Sequence, residues 1–203
     1  MKRFTLLLAG SLLLTAGVAY SQAIDDRAVV PVSVTLNSIL RLNVTSGGNI
    51  EFNFNTLEDF NNGINNLGAS AAYQTRFTVA SSVNWDVFMY AEDANLIGTD
   101  VMAGTRTLPL NNIGYSIDVA GTAPIADFAV PVGVQGLSSA TTTELVGFNG
   151  TLSNAGDIMR NSFVINWRAG TREGGMFGTS ILAQGVAADR YSTNVFLVLQ
   201  PAN

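Results

Sequence analysis

The stretch AYQTRFTVASSVNWDVFMYA, residues 72–91, decides the fold class. Tyr73, Thr75, Phe77 and Val79 alternate with polar or small residues, and so do Val83, Trp85, Val87 and Met89. A period of two puts each set on one face of a strand. Ser81-Ser82 sits at the reversal, so the stretch predicts an antiparallel hairpin with a loop wider than an Asn-Gly turn. Trp85 is in phase with the apolar face and is expected to anchor a core. Tyr90 is out of phase with it and is the expected surface aromatic.

The same period recurs on both sides. Upstream, Val30, Val32, Val34 and Leu36 alternate with Pro31, Ser33 and Thr35, predicting a first strand over residues 28–36. Asn37-Ser38 interrupts it, and the pattern resumes through Ile39, Leu40, Leu42 and Val44. Ile50, Phe52 and Phe54 predict a short strand. Thr56, with Asp59 three residues on, is placed to cap one helical turn. Downstream, strands are expected over residues 107–110, 113–119, 144–148, 161–168, 180–183 and 191–199, with polar or glycine-rich loops at 92–104 and 170–178. Pro131 makes the apolar run 126–134 an edge strand or a bend.

About ten strands with almost no helix predict an all-β, antiparallel two-sheet sandwich, with a closed β-barrel as the alternative. Eighteen of the 20 glycines lie after residue 21, scattered as turns between short strands. An outer-membrane barrel is disfavoured, because most runs fall short of the ~9–11 residues such strands need. The 203 residues suffice for one core, expected over residues 22–203.

Residues 1–21 read as a secretory signal peptide: Lys2 and Arg3, an apolar run, then Ala19-Tyr20-Ser21 before the expected cleavage. The run is too short for a bilayer span. Export to the periplasm, cell surface or extracellular space is therefore expected. Removing these residues takes Lys2 and Arg3 from ten basic residues and none from 15 acidic ones, leaving 8 − 15 = −7 and no lysine. Such a surface does not suit nucleic acid or anionic lipid. The chain has no His and no Cys, which removes the Ser-His-Asp and Cys-His arrangements and the usual transition-metal sites. No cofactor and no catalysis are expected. Calcium needs only oxygen ligands, and Glu92, Asp93 and Asp100 share one loop that could supply them.

Residues 189–199, DRYSTNVFLVL, open an alternating terminal strand on a Tyr. Together with residues 29–44 and 50–54, this resembles the closing and opening strands of bacterial pilin-like secreted domains, the chaperone–usher fimbrial subunits and spore-coat-U-like proteins. Two features depart from that group. Fimbrial subunits often carry a disulfide, and residues 170–178 match no element of theirs. The resemblance implies a structural or adhesive surface subunit joined to other copies, or related subunits, by donor-strand exchange. Val30, Val32, Val34 and Leu36 would be the donated residues. Burying four such side chains contributes roughly 6–12 kcal/mol at most, against ~5–15 kcal/mol of net stability for a whole domain. The alternative function is a monomeric carbohydrate-binding module, with Tyr90 as a stacking residue for glycans.

Overall fold

The computed structural model describes residues 30–66, 70–100 and 106–202. The expected signal peptide lies outside them, as do residues 28 and 29 of the expected first strand. The chain divides into two units, Met1–Leu36 and Asn37–Asn203, and each is taken by itself.

Of the first unit, residues 30–36 are described, and they form no strand. Val30, Val32, Val34 and Leu36 are 78%, 85%, 79% and 89% exposed. The alternation is present, but it is paired with nothing described.

The described residues of the second unit form twelve strands: β1 (Leu40–Ser46), β2 (Gln74–Ser81), β3 (Trp85–Ala91), β4 (Asn95–Gly98), β5 (Thr107–Pro109), β6 (Ile113–Val119), β7 (Phe128–Ala129), β8 (Gln135–Gly136), β9 (Glu144–Phe148), β10 (Ser162–Ala169), β11 (Tyr191–Ser192) and β12 (Val195–Pro201). One sheet has the order β1-β2-β10-β6-β8, a second β12-β3-β9-β7, and a small third β11-β4-β5. Every pairing is antiparallel. The first two sheets face each other as a sandwich, and no barrel closes among the described residues. Phe163 of β10 joins them: its ring lies 5.2 Å from Phe77 on its own sheet, and 5.8 and 5.1 Å from Trp85 and Phe128 on the other. All four side chains are buried.

The expected hairpin is an arch instead. β2 pairs with β1 and β10, while β3 pairs with β12 and β9, so its two arms enter opposite sheets. Both arms keep the inward faces read from the sequence, with Phe77, Val79, Trp85 and Val87 all at 0% exposure. Residues 82–84 carry the chain across the core, and Ser81 secures the crossing by donating to and accepting from the Val83 backbone. Asn154 then holds the first residue of β3: its Oδ1 accepts the Trp85 N–H (3.1 Å) and its Nδ2 donates to the Trp85 carbonyl (2.7 Å). Its own carbonyl accepts the Trp85 indole N–H at 2.8 Å. Side chains thus supply the partners that a second hairpin arm would have given.

Four other expectations change. The Ile50–Phe54 run has no ladder partner, so it forms no strand, although Ile50 and Phe52 still pack on the core. The expected strand over residues 180–183 is replaced by a 3₁₀ turn, Leu182–Gln184. The polar loop after Ala91 contains β4. The terminal strand divides into β11, which pairs with β4, and β12, which pairs with β3, so residues 193–194 carry the chain from one sheet to another. The helical turn forms as read. Thr56 caps α1 (Leu57–Asn62) in a reciprocal capping box with Asp59. The Thr56 N–H, then that of Asn55, and then the Thr56 hydroxyl hold the Asp59 carboxyl below its usual pKa.

Candidate functional site

The first and last long strands of the second unit are both sheet edges. In the β12–β3 ladder, Glu92 N–H donates to Asn194 C=O and Ala202 N–H to Asn84 C=O, each at 2.9 Å. With the register Val195↔Ala91, Phe196, Val198 and Gln200 therefore spend their backbone groups on β3. Those of Val195, Leu197 and Leu199 point to the other edge, where no described residue bonds to them. Leu197 and Leu199 also face the core. Pro201, in the same set, has no N–H to offer.

β1 repeats this arrangement. Ser82 N–H donates to Ile39 C=O at 3.0 Å, and the register Leu40↔Ser81 assigns the groups of Arg41 and Asn43 to β2. Leu40, Leu42 and Val44 are left facing outward along the edge. On both strands the residues whose side chains meet the apolar interior are the ones with unused backbone groups.

A cavity of about 1050 Å³ lies against these edges. Leu42 and Val44 of β1, Leu197 of β12, Ile165 and Trp167 of β10, and Leu96 and Leu108 of the small sheet give it apolar surface. Residues 49–55 and 186–194 form its walls, with Asp100, Asp189 and Arg190 in the lining. Trp167 is fixed by its indole N–H, which donates to Thr75 Oγ1 at 2.9 Å; that hydroxyl donates onward to Gly47 C=O at 2.6 Å. Gly47, at φ 70°, lies so close to the Gln74 carbonyl that no side chain fits there. The chain leaves β1 at this glycine and runs as an unpaired extended segment. Phe52 stacks on Tyr73 at 4.7 Å and holds that wall in place.

Tyr90 lies on the opposite, outer face of the second sheet. Its ring is 5.4 Å from Phe196, and the two tilt by 39°. Phe88 and Val198 share this face, and with Tyr90, Thr141, Thr142 and Gln200 they line a depression of about 310 Å³. Beside Phe88 stand Asp86 and Glu144. A Cβ on Gly147 would lie 2.5 Å from Asp86 Oδ1 and 2.5 Å from Glu144 Oε1, so the two carboxylates converge over a bare glycine. Burial first, and the Asp86 charge second, push the Glu144 carboxyl above its usual pKa. Asp86 Oδ1 accepts the Phe148 N–H at 2.8 Å.

The calcium candidates are each engaged separately. Glu92 accepts from Asn194, Asp93 from Thr193, and Asp100 from Thr99. No group of three or more acidic side chains converges among the described residues. No helix there is long and apolar enough to cross a membrane. The sequence put Tyr90 off the core face, where β3 has it, and carried no sign of the Asp86–Glu144 pair. The two are 58 positions apart in the sequence and meet only through the register Phe88↔Glu144. No protein-family model matches the chain, and no curated protein matches it.

Proposed function

We propose that this chain is an exported, non-catalytic structural or adhesive surface protein whose copies join by strand addition. One observation carries the reading: among the described residues, an alternating apolar segment belongs to no sheet, and two sheet edges beside an apolar groove keep unbonded backbone groups. Val30, Val32, Val34 and Leu36 are largely exposed, and the β12 edge offers the backbone groups of Val195, Leu197 and Leu199 beside the cavity. A strand from a second copy answers both needs. It covers the apolar faces and supplies partners along the edge.

Pro31 gives the added strand a direction. If it runs antiparallel to β12, residues opposite Leu197 and Leu199 face inward and direct their own N–H and C=O groups to β12. Val30, Val32, Val34 and Leu36 fill that set, and Pro31, which lacks an N–H, points its ring nitrogen the other way. In a parallel addition the bonds would come from Pro31, Ser33 and Thr35, and one would be missing.

Size-exclusion chromatography with light scattering, run over a concentration series, tests this reading. The wild-type chain forms multimers, and the double variant Val32→Asp/Val34→Asp stays monomeric and melts as unassembled wild-type chains do at low concentration. A wild-type chain that is monomeric at every concentration, or a variant that assembles like it, refutes the reading. A monomeric carbohydrate-binding module is the second reading, favoured by the Tyr90–Phe196 ring pair on the outer face, of which Phe196 is 42% exposed.

A further inference from the structure

The outer face of the second sheet has a regular layout. The pairings set Phe196 beside Tyr90, Val198 beside Phe88, and Gln200 beside Asp86, with Glu144 on the far side of Phe88. Four of these seven residues are aromatic or aliphatic and three are polar. The depression over Phe88, Tyr90 and Val198 has a volume of about 310 Å³, near the lower limit of ~300 Å³ for small-molecule sites. Its rim is chemically mixed. The hydroxyls of Thr141 and Thr142 and the amide of Gln200 can both donate and accept, and none of these side chains is hydrogen-bonded to another described residue. Glu144 likewise accepts no hydrogen bond there, although it stands against a second carboxylate.

We propose that this face is a saccharide-binding site, with a sugar ring on Phe88, Tyr90 and Phe196 and its hydroxyls bonded to Thr141, Thr142, Gln200, Asp86 and Glu144. The chemistry favours a neutral sugar over other occupants. Aromatic faces offer apolar contact to the C–H groups of a pyranose. Sugar hydroxyls donate to the carboxylates and exchange bonds with the threonines and glutamine. A purely cationic ligand would match the carboxylates but leave the rim donors unused, and an anionic ligand would meet two like charges. An apolar protein surface would leave the whole rim unpaired. Gly147 makes the convergence possible, since any side chain there would displace both carboxylates.

The site gives the second functional reading a location and does not depend on assembly. Strand addition would use the edge of β12, and this site uses its face.

The test is an array of neutral, sialylated and sulfated oligosaccharides probed with the full chain. Neutral oligosaccharides are retained, and Tyr90→Ala and Glu144→Gln each lower that retention at least tenfold while melting within a few degrees of wild type. Val32→Asp/Val34→Asp, which tests assembly, keeps the site's intrinsic affinity for the retained sugar, measured by titration in solution. Retention of no oligosaccharide, or of acidic ones alone, overturns the proposal. So does retention that survives both Tyr90→Ala and Glu144→Gln, or capture of an oligoarginine probe with no sugar bound.

Discussion

Residues 30–36 and strand β2 carry the same pattern and meet opposite fates. Thr75, Phe77 and Val79 of β2 are buried between the flanking strands β1 and β10. Val30, Val32, Val34 and Leu36 alternate as cleanly and stand 78–89% exposed. The difference is in the neighbours and not in the residues. Alternation says which face of a strand will be apolar. It does not say which edge will bond to it, because that depends on backbone groups supplied from elsewhere in the chain or from another chain.

Substitutions of unequal expected effect probe this contrast. The largest is Phe77→Ala, which empties a fully buried position against Phe163 and costs ~3–5 kcal/mol, read from urea unfolding. Next is Asn154→Ala, which orphans the N–H and C=O of Trp85 at ~1–3 kcal/mol for each group left buried and unbonded. A cost near zero would mean that water replaces the side chain, and the arch would then need no dedicated partner.

Glu144→Gln works in the opposite direction. A raised carboxyl pKa means the folded state holds its proton more tightly than the unfolded chain. Native stability therefore falls as pH rises from the ordinary Glu value through the raised one. The substitution removes that loss, so thermal melting at pH 7 shows a gain of less than ~1 kcal/mol. The gain disappears below about pH 4, where both states are protonated. The smallest effect belongs to the other side of the contrast. Val32→Ala changes the unfolding free energy of unassembled chains, read from urea unfolding, by no more than ~0.5 kcal/mol. A cost several times larger would place that side chain in a packed interior and erase the distinction from β2.

The apolar faces were legible in the sequence wherever two or more alternations ran together, as at Phe77-Val79, Trp85-Val87-Met89 and Phe163-Ile165-Trp167. Partner choice was not. The arms of residues 72–91 read as a hairpin because they are close in sequence, but the sandwich faces them across the core. Residues 191–199 read as one strand because the period continues through Thr193-Asn194, and only the change of partner, from β4 to β3, reveals the break. The groove is legible in its ends, as two alternating segments, and illegible in its edges. The Asp86–Glu144 pair is illegible altogether, since it depends on a ladder register and on the missing side chain of Gly147.

The chain has 2 tryptophans, and the fold puts them to separate uses. Trp85 is sealed between Phe128 and Phe163, with its indole N–H tied to Asn154. Trp167 is 6% exposed and lines the groove, tied to Thr75. Their fluorescence therefore reports on different events. The emission of Trp85 follows global unfolding, and that of Trp167 follows the polarity of the cavity it borders. In a Trp85→Phe chain the remaining indole shifts to the blue as solvent leaves the groove. This is an optical signal of occupancy that needs no added label.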